Sequence, residues 1–143
     1  MLVLFAKDVA EAVFLSLPRA TNALDAAKMM KEKHQGFVIV SDGIVPEGIV
    51  TEWDYLSKIV AEGKDPSQVS VGDIMTMGLI TIKGSEGLES VAKIMTERGV
   101  RRVLVLHDDK ILGVITSRTI LANLGAYVDQ VSTTIARLQA PPS

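Results

Sequence analysis

At 143 residues, 48% of them apolar, the chain is long enough for one compact domain or for two small halves that share a core. A net charge of −2 and a pI near 5.7 exclude global attraction to nucleic acid or to an acidic membrane surface, leaving room only for a local basic cluster that holds a small anion. The absence of cysteine excludes disulfides, thiol nucleophiles and thiolate metal sites.

Residues Leu2 to Ala6 are apolar but stop at Lys7-Asp8, too short for a signal-peptide core or a bilayer span, so a soluble cytoplasmic protein is expected. From Met1 the chain reads as a lead-in strand or turn that feeds Phe14-Leu15-Ser16-Leu17, and Pro18 ends this segment. Thr21 or Asn22 can cap a helix that carries Ala23, Ala26, Ala27 and Met30 on one stripe. A short buried strand follows Gly36, Asp42-Gly43 marks a turn, and Gly48-Ile49-Val50 returns as a second strand. The next helix should bury Tyr55, Leu56, Ile59 and Val60. Residues 62–67, with Gly63, charges and Pro66, form the clearest linker.

The same order then recurs. Val71 to Met75 leads in, Leu79 to Ile82 is a strand, and Leu88 to Arg98 is a helix with Leu88, Val91, Ala92 and Met95 inward. Val103 to Leu106, a turn at Asp108-Asp109 and Ile111 to Ile115 make a hairpin, closed by a helix that runs to about Asn123 and stops at Gly125. In the tail, Val128, Val131, Ile135 and Leu138 alternate three- and four-residue steps. Such a narrow seam must dock on its own domain or on a partner chain, and Pro141-Pro142 ends it. The expected organisation is unit 1 over 1–63, unit 2 over 64–126 and an amphipathic tail over 127–143.

A spacing of 65 relates the two units without a gap, pairing Asp8 with Asp73, Ala27 with Ala92, Met30 with Met95, Val38 with Val103, Gly48 with Gly113 and Thr51 with Thr116. Two copies point to a pseudo-symmetric pair rather than a solenoid, which needs at least three repeats to bury its faces. Within the repeat, Gly48-Ile49-Val50-Thr51-Glu52-Trp53-Asp54 and Gly113-Val114-Ile115-Thr116-Ser117-Arg118-Thr119 each join a strand to a helix. The glycine permits close approach of a backbone or a ligand, and the threonine lies where a helix N-terminus presents unpaired N–H groups.

Only the first copy ends in a carboxylate. Thr51-x-x-Asp54 is explained structurally as a capping box, and functionally as a carboxylate that accepts a vicinal diol beside a hydroxyl that helps hold phosphate. Arg101-Arg102 supplies two guanidinium groups for a phosphate, where the first unit has Gly36-Phe37; the plainer alternative is a solvated basic pair. Trp53, the one tryptophan, either walls a base pocket or packs on its own helix. His34 and His107 lack acidic neighbours at metal-ligand spacing, and no P-loop, dinucleotide fingerprint or Ser-His-Asp arrangement is present. No metal or cofactor is therefore expected.

These features together resemble a tandem pair of cystathionine β-synthase (CBS) domains, over roughly Ala6 to Leu124. The resemblance implies an α/β (α+β) fold of two pseudo-two-fold-related β-α-β-β-α units packed through their sheets. It also implies a regulatory module that binds an adenosine-containing ligand in the cleft between them. Carried over position by position, Asp54 would hold the ribose with Thr51 beside it, Arg101 and Arg102 would contact phosphate, and Phe14, Leu15, Ser16, Phe37, Val38, Ile49 and Trp53 would line the base pocket. Thr119 departs from the pattern, which expects aspartate there. The resulting expectation is a non-enzymatic, energy-sensing homodimer that binds AMP, with ADP or ATP as variants, and acts on a separate regulated protein. The rivals are a module for S-adenosylmethionine, which would leave the arginine pair idle, and a dimerisation scaffold with a vestigial site.

Overall fold

The computed structural model describes residues 4–139, apart from the side chains of Tyr127 and Gln130. In chain order the elements are α1 (Ala6–Val9), β1 (Ser16–Leu17), α2 (Ala23–Lys33), β2 (Phe37–Ser41), β3 (Pro46–Thr51), α3 (Glu52–Tyr55), α4 (Val71–Ile74), β4 (Thr81–Lys83), α5 (Leu88–Arg98), β5 (Arg102–His107), β6 (Lys110–Thr116) and α6 (Ser117–Gln139). A π-helical turn over Leu56–Val60 continues α3, and a 3₁₀ turn spans Pro66–Gln68. Two three-stranded sheets result, β1-β2-β3 and β4-β5-β6, each with a parallel outer pair and an antiparallel hairpin. Both hairpins shift register, at Val40/Ser41 and at Val105/Leu106, one repeat apart. This is the mixed α+β architecture expected from the repeat.

By contact, Val13–Leu79 make one compact unit, and the residues up to Ala12 join those from Ile80 onward in the other. The lead-in helix of each repeat thus lies with the sheet of the other repeat: α1 against β4 and β6, α4 against β3. Contact therefore divides the chain at 12/13 and 79/80, whereas the sequence period divides it at 63/64. Residues 62–67, read as a linker, are tied into the first unit because Asn22 Nδ2 donates to the Ser67 carbonyl and Ala23 N–H donates to Val69 O at 2.8 Å. Asp65 caps the 3₁₀ turn through the Ser67 hydroxyl and amide, which hold its carboxyl below the usual range.

The lead-in segments are one-turn helices rather than strands. The repeated Asp8 and Asp73 explain them, each accepting the N–H three residues back, from Phe5 at 3.0 Å and from Ser70 at 3.3 Å. Asn22 is the cap of α2, its Oδ1 accepting from Leu24 and Asp25 N–H. Ala23, Ala26 and Met30 are buried against the β2-β3 hairpin side of their unit, in clusters that include Val38, Val40, Val50 and Ile59. The second unit packs Val91 and Met95 with Val103, Val105 and Ile115. Burying one such valine or isoleucine contributes roughly 1.5–3 kcal/mol.

Three expectations change. Leu56 and Val60 are exposed, because the π turn runs i→i+5, with Ala61 N–H on Leu56 O at 2.9 Å, and so shifts the helix face. Ala92 is exposed; Val91 and Met95 are the buried residues of α5, with Ile94 packed beside them. Gly125 does not stop a helix: α6 runs unbroken from Ser117 to Gln139. An interior glycine weakens a helix by only about 1 kcal/mol, and Gly125 has open space around it with no contact that would end the helix. Pro141-Pro142 lies outside the described residues.

Candidate functional site

The motif glycines set the local geometry of each strand-to-helix junction. A Cβ on Gly48 would meet Thr76 O at 2.8 Å, and a Cβ on Gly113 would meet Glu11 O at 2.7 Å. Each glycine therefore admits a neighbouring backbone, which forms an antiparallel bridge: Ile49 with Thr76, and Val114 with Glu11. Thr76 and Glu11 are 65 positions apart, so they belong to the repeat.

Asp54, only 3% exposed, lies in the first turn of α3 at the end of this bridge. Its Oδ2 accepts from Thr51 N–H at 2.8 Å and from the Thr51 hydroxyl at 3.4 Å, which is the capping box. Its Oδ1 accepts from the Thr76 hydroxyl at 3.0 Å and pairs with Lys58 Nζ at 2.8 Å, one turn along. Lys58 also donates to Ile74 O at 2.8 Å. A buried carboxylate with both oxygens partnered meets the requirement that a buried charge be compensated. Its orientation is set from two sides.

Thr119 occupies the matching place in α6 and is also buried. Its hydroxyl replaces the carboxylate as cap, lying 3.0 Å from Thr116 Oγ1, and it donates to Glu11 Oε1 at 3.1 Å. Asn123, which matches Lys58, donates to Thr119 O at 2.8 Å. The acid and the hydroxyl have changed places across the same contact: threonine to aspartate in one unit, glutamate to threonine in the other. Lys58, Thr76 and Glu11 were not singled out from the sequence. Two signals could have found them, the i,i+4 spacing of Asp54 and Lys58 and the repeat offset that matches Thr76 to Glu11.

The remaining expected site residues are distributed as follows. Phe37 pairs with Thr51, and Ile39 with both Ile49 and Ser16, which places Ser16, Phe37, Ile49 and Thr51 on one face of the sheet. Leu15 and Val38 sit in the core with Met30. Phe14 is partly buried just before β1. Trp53 is 68% exposed, so it does not pack on the helix behind it. Arg101 is exposed at the opening of β5 and its carbonyl accepts Ser117 N–H at 2.9 Å; Arg102, opposite Thr116, is partly buried. At the matching place in the other unit the Glu52 carboxylate lies over Gly36, in the space a side chain there would fill. Tyr55 donates to Ala23 O at 2.7 Å, and burial pushes its hydroxyl up to about 12. Among the described residues no three His, Asp or Glu gather as a metal site, and no helix is long and apolar enough to cross a membrane.

Comparison with known proteins gives a consistent family. The CBS domain matches twice, over residues 6–61 and 71–126. An uncharacterized protein of Methanopyrus kandleri is 34% identical over 110 residues, 76% of this chain and 56% of that protein, so the chain spans little more than half of this relative. A hexameric CBS-CP12 protein from bloom-forming cyanobacteria superposes with a TM-score of 0.76 at 31% identity, covering 85% of this chain and 68% of that one. The CBS domain pair of another protein, crystallised with 5′-methylthioadenosine and S-adenosyl-L-methionine, has the same fold at a TM-score of 0.76 and 24% identity, covering 87% and 98%. With two matched copies, two β-α-β-β-α units and a fold shared with solved pairs, the chain belongs to the CBS domain family as a tandem pair.

Proposed function

We propose that this pair is a non-enzymatic regulatory module that binds an adenine nucleotide, AMP foremost, and passes its occupancy on to a separate protein. The observation that supports this most is the oriented carboxylate of Asp54, held by Thr51 and Thr76 at a helix N-terminus. A carboxylate so fixed can accept both hydroxyls of a ribose. A diol arriving at Oδ1 displaces the Lys58 ammonium, whose side chain is 41% exposed and long enough to turn toward a phosphate. In this reading Arg101 and Arg102 add charge-assisted hydrogen bonds to the phosphate, while Phe37, Ile49 and Trp53 offer apolar surface to the base.

A second reading, S-adenosylmethionine as ligand, is favoured by the solved pair crystallised with that compound and with 5′-methylthioadenosine. Both candidates carry the same diol, so the phosphate decides. Calorimetry with AMP, adenosine and S-adenosylmethionine on the wild type and on Arg102→Ala separates them. AMP should weaken by about tenfold or more in the variant, adenosine should not change, and added salt should act in the same direction. Equal losses for AMP and adenosine, or tighter binding of S-adenosylmethionine than of AMP, would overturn the nucleotide assignment. Native mass spectrometry of the purified protein would identify any carried-over ligand directly.

A further inference from the structure

Because α6 does not stop at Gly125, its apolar residues form one longer series than the tail alone: Leu121, Leu124, Val128, Val131, Ile135 and Leu138. The steps alternate three, four, three, four, three, the a and d positions of successive heptads. All six side chains are exposed, from 39% at Val131 to 81% at Leu138. A strict a/d stripe is narrower than the face a helix needs to pack on a globular core, and its 3.5-residue period matches a supercoiled helix partner.

We infer that α6 pairs with the α6 of a second copy of this chain as a parallel two-stranded coiled coil. Four features select that occupant. The a positions are Leu121, Val128 and Ile135 and the d positions Leu124, Val131 and Leu138, so β-branched residues prevail at a and leucine at d, the combination that favours parallel dimers. None of the flanking e and g positions from 120 to 139 carries a charge, so identical helices meet in parallel without like-charge repulsion, and no complementary charge points to a different partner. The charges that α6 does carry beyond its first turn, Asp129 and Arg137, fall at b and c, away from the seam. Gly125 and Ser132 at e leave room for close approach.

The native chain has no cysteine, so a single introduced one reads the seam without background. Ile135→Cys places identical a positions side by side only in a parallel, in-register pair. Mild oxidation of the full chain should give covalent dimer with Ile135→Cys and little with Ala136→Cys one position off the seam. Sedimentation of a Val128→Glu/Ile135→Glu double variant should show the dissociation constant raised about tenfold or more. Both positions are exposed in the chain itself, so the two units should still fold cooperatively, with only the loss of helical signal and melting temperature that dissociation of the seam brings. A monomeric wild type, an unchanged mass for the glutamate variant, or equal cross-linking at 135 and 136 would each overturn the pairing. Cross-linking only in a Leu124→Cys/Ile135→Cys variant would replace it with an antiparallel pair.

Discussion

The strand-to-helix junctions at Gly48–Asp54 and Gly113–Thr119 share a backbone and differ in where they keep their negative charge. In the first, Asp54 is buried and receives Thr76 and Lys58; in the second, Thr119 is buried and donates to the exposed Glu11. A short carboxylate held within its own helix turn is fixed by the backbone, whereas a glutamate on the lead-in segment reaches the same contact on a longer, freer side chain. Read as sequence alone, the second motif had lost its acid. In the folded chain the acid has moved to the opposite partner of one hydrogen bond. A motif residue missing from one partner of this contact is thus present on the other.

Binding stoichiometry tests this contrast most strongly. One tight nucleotide per chain is expected, with any second equivalent weaker by roughly a hundredfold or more, because the second motif lacks the fixed carboxylate and Gly36-Phe37 replaces the arginine pair. Calorimetry that finds two equally tight equivalents sinks the asymmetry. If the second of these vanishes in Glu11→Gln, Glu11 does the work of Asp54.

Next in size is Asp54→Ala, expected to weaken AMP by about 10- to 100-fold, as hydrogen bonds to a charged group contribute ~1.5–3 kcal/mol. It should also lower stability by about 0.5–2 kcal/mol through the lost cap. Thr119→Ala should affect only stability. A lowered melting temperature with unchanged affinity would make Asp54 a helix cap and nothing more.

The exchange of acid and hydroxyl can itself be tested by a double-mutant cycle. Thr119→Asp alone sets a second carboxylate beside Glu11 and should destabilise by about 1–2 kcal/mol at neutral pH, less in acid where one carboxyl is protonated. Adding Glu11→Thr recreates the arrangement of Thr76 and Asp54 and should recover most of that loss in denaturant titrations. Additive effects would mean that the two side chains do not interact.

A last contrast concerns the alkaline limit of stability and Tyr55. Its hydroxyl is raised from 10.0 to about 12 by burial, so the folded chain keeps a proton that the unfolded chain releases. Stability should therefore be fully present below pH 10 and fall as pH rises from 10 toward 12. Comparing wild type with Tyr55→Phe isolates this slope from that of the lysines; identical slopes would remove Tyr55 as its source.

Legible in the sequence were the helix over Leu88–Arg98, the hairpins with their turns at Asp42-Gly43 and Asp108-Asp109, and the capping box at Thr51 and Asp54. Periodicity, turn chemistry and caps act within a few residues, so a linear reading reaches them. Tertiary contact decided two further things. It set the lead-in segment of each repeat against the other repeat's sheet, a long-range pairing that no local signal encodes. It brought Thr76 onto Asp54, and Glu11 onto Thr119 across 108 positions of sequence. Helix α6 in turn runs through Gly125, where a helix-weakening residue met no competing structure strong enough to end it.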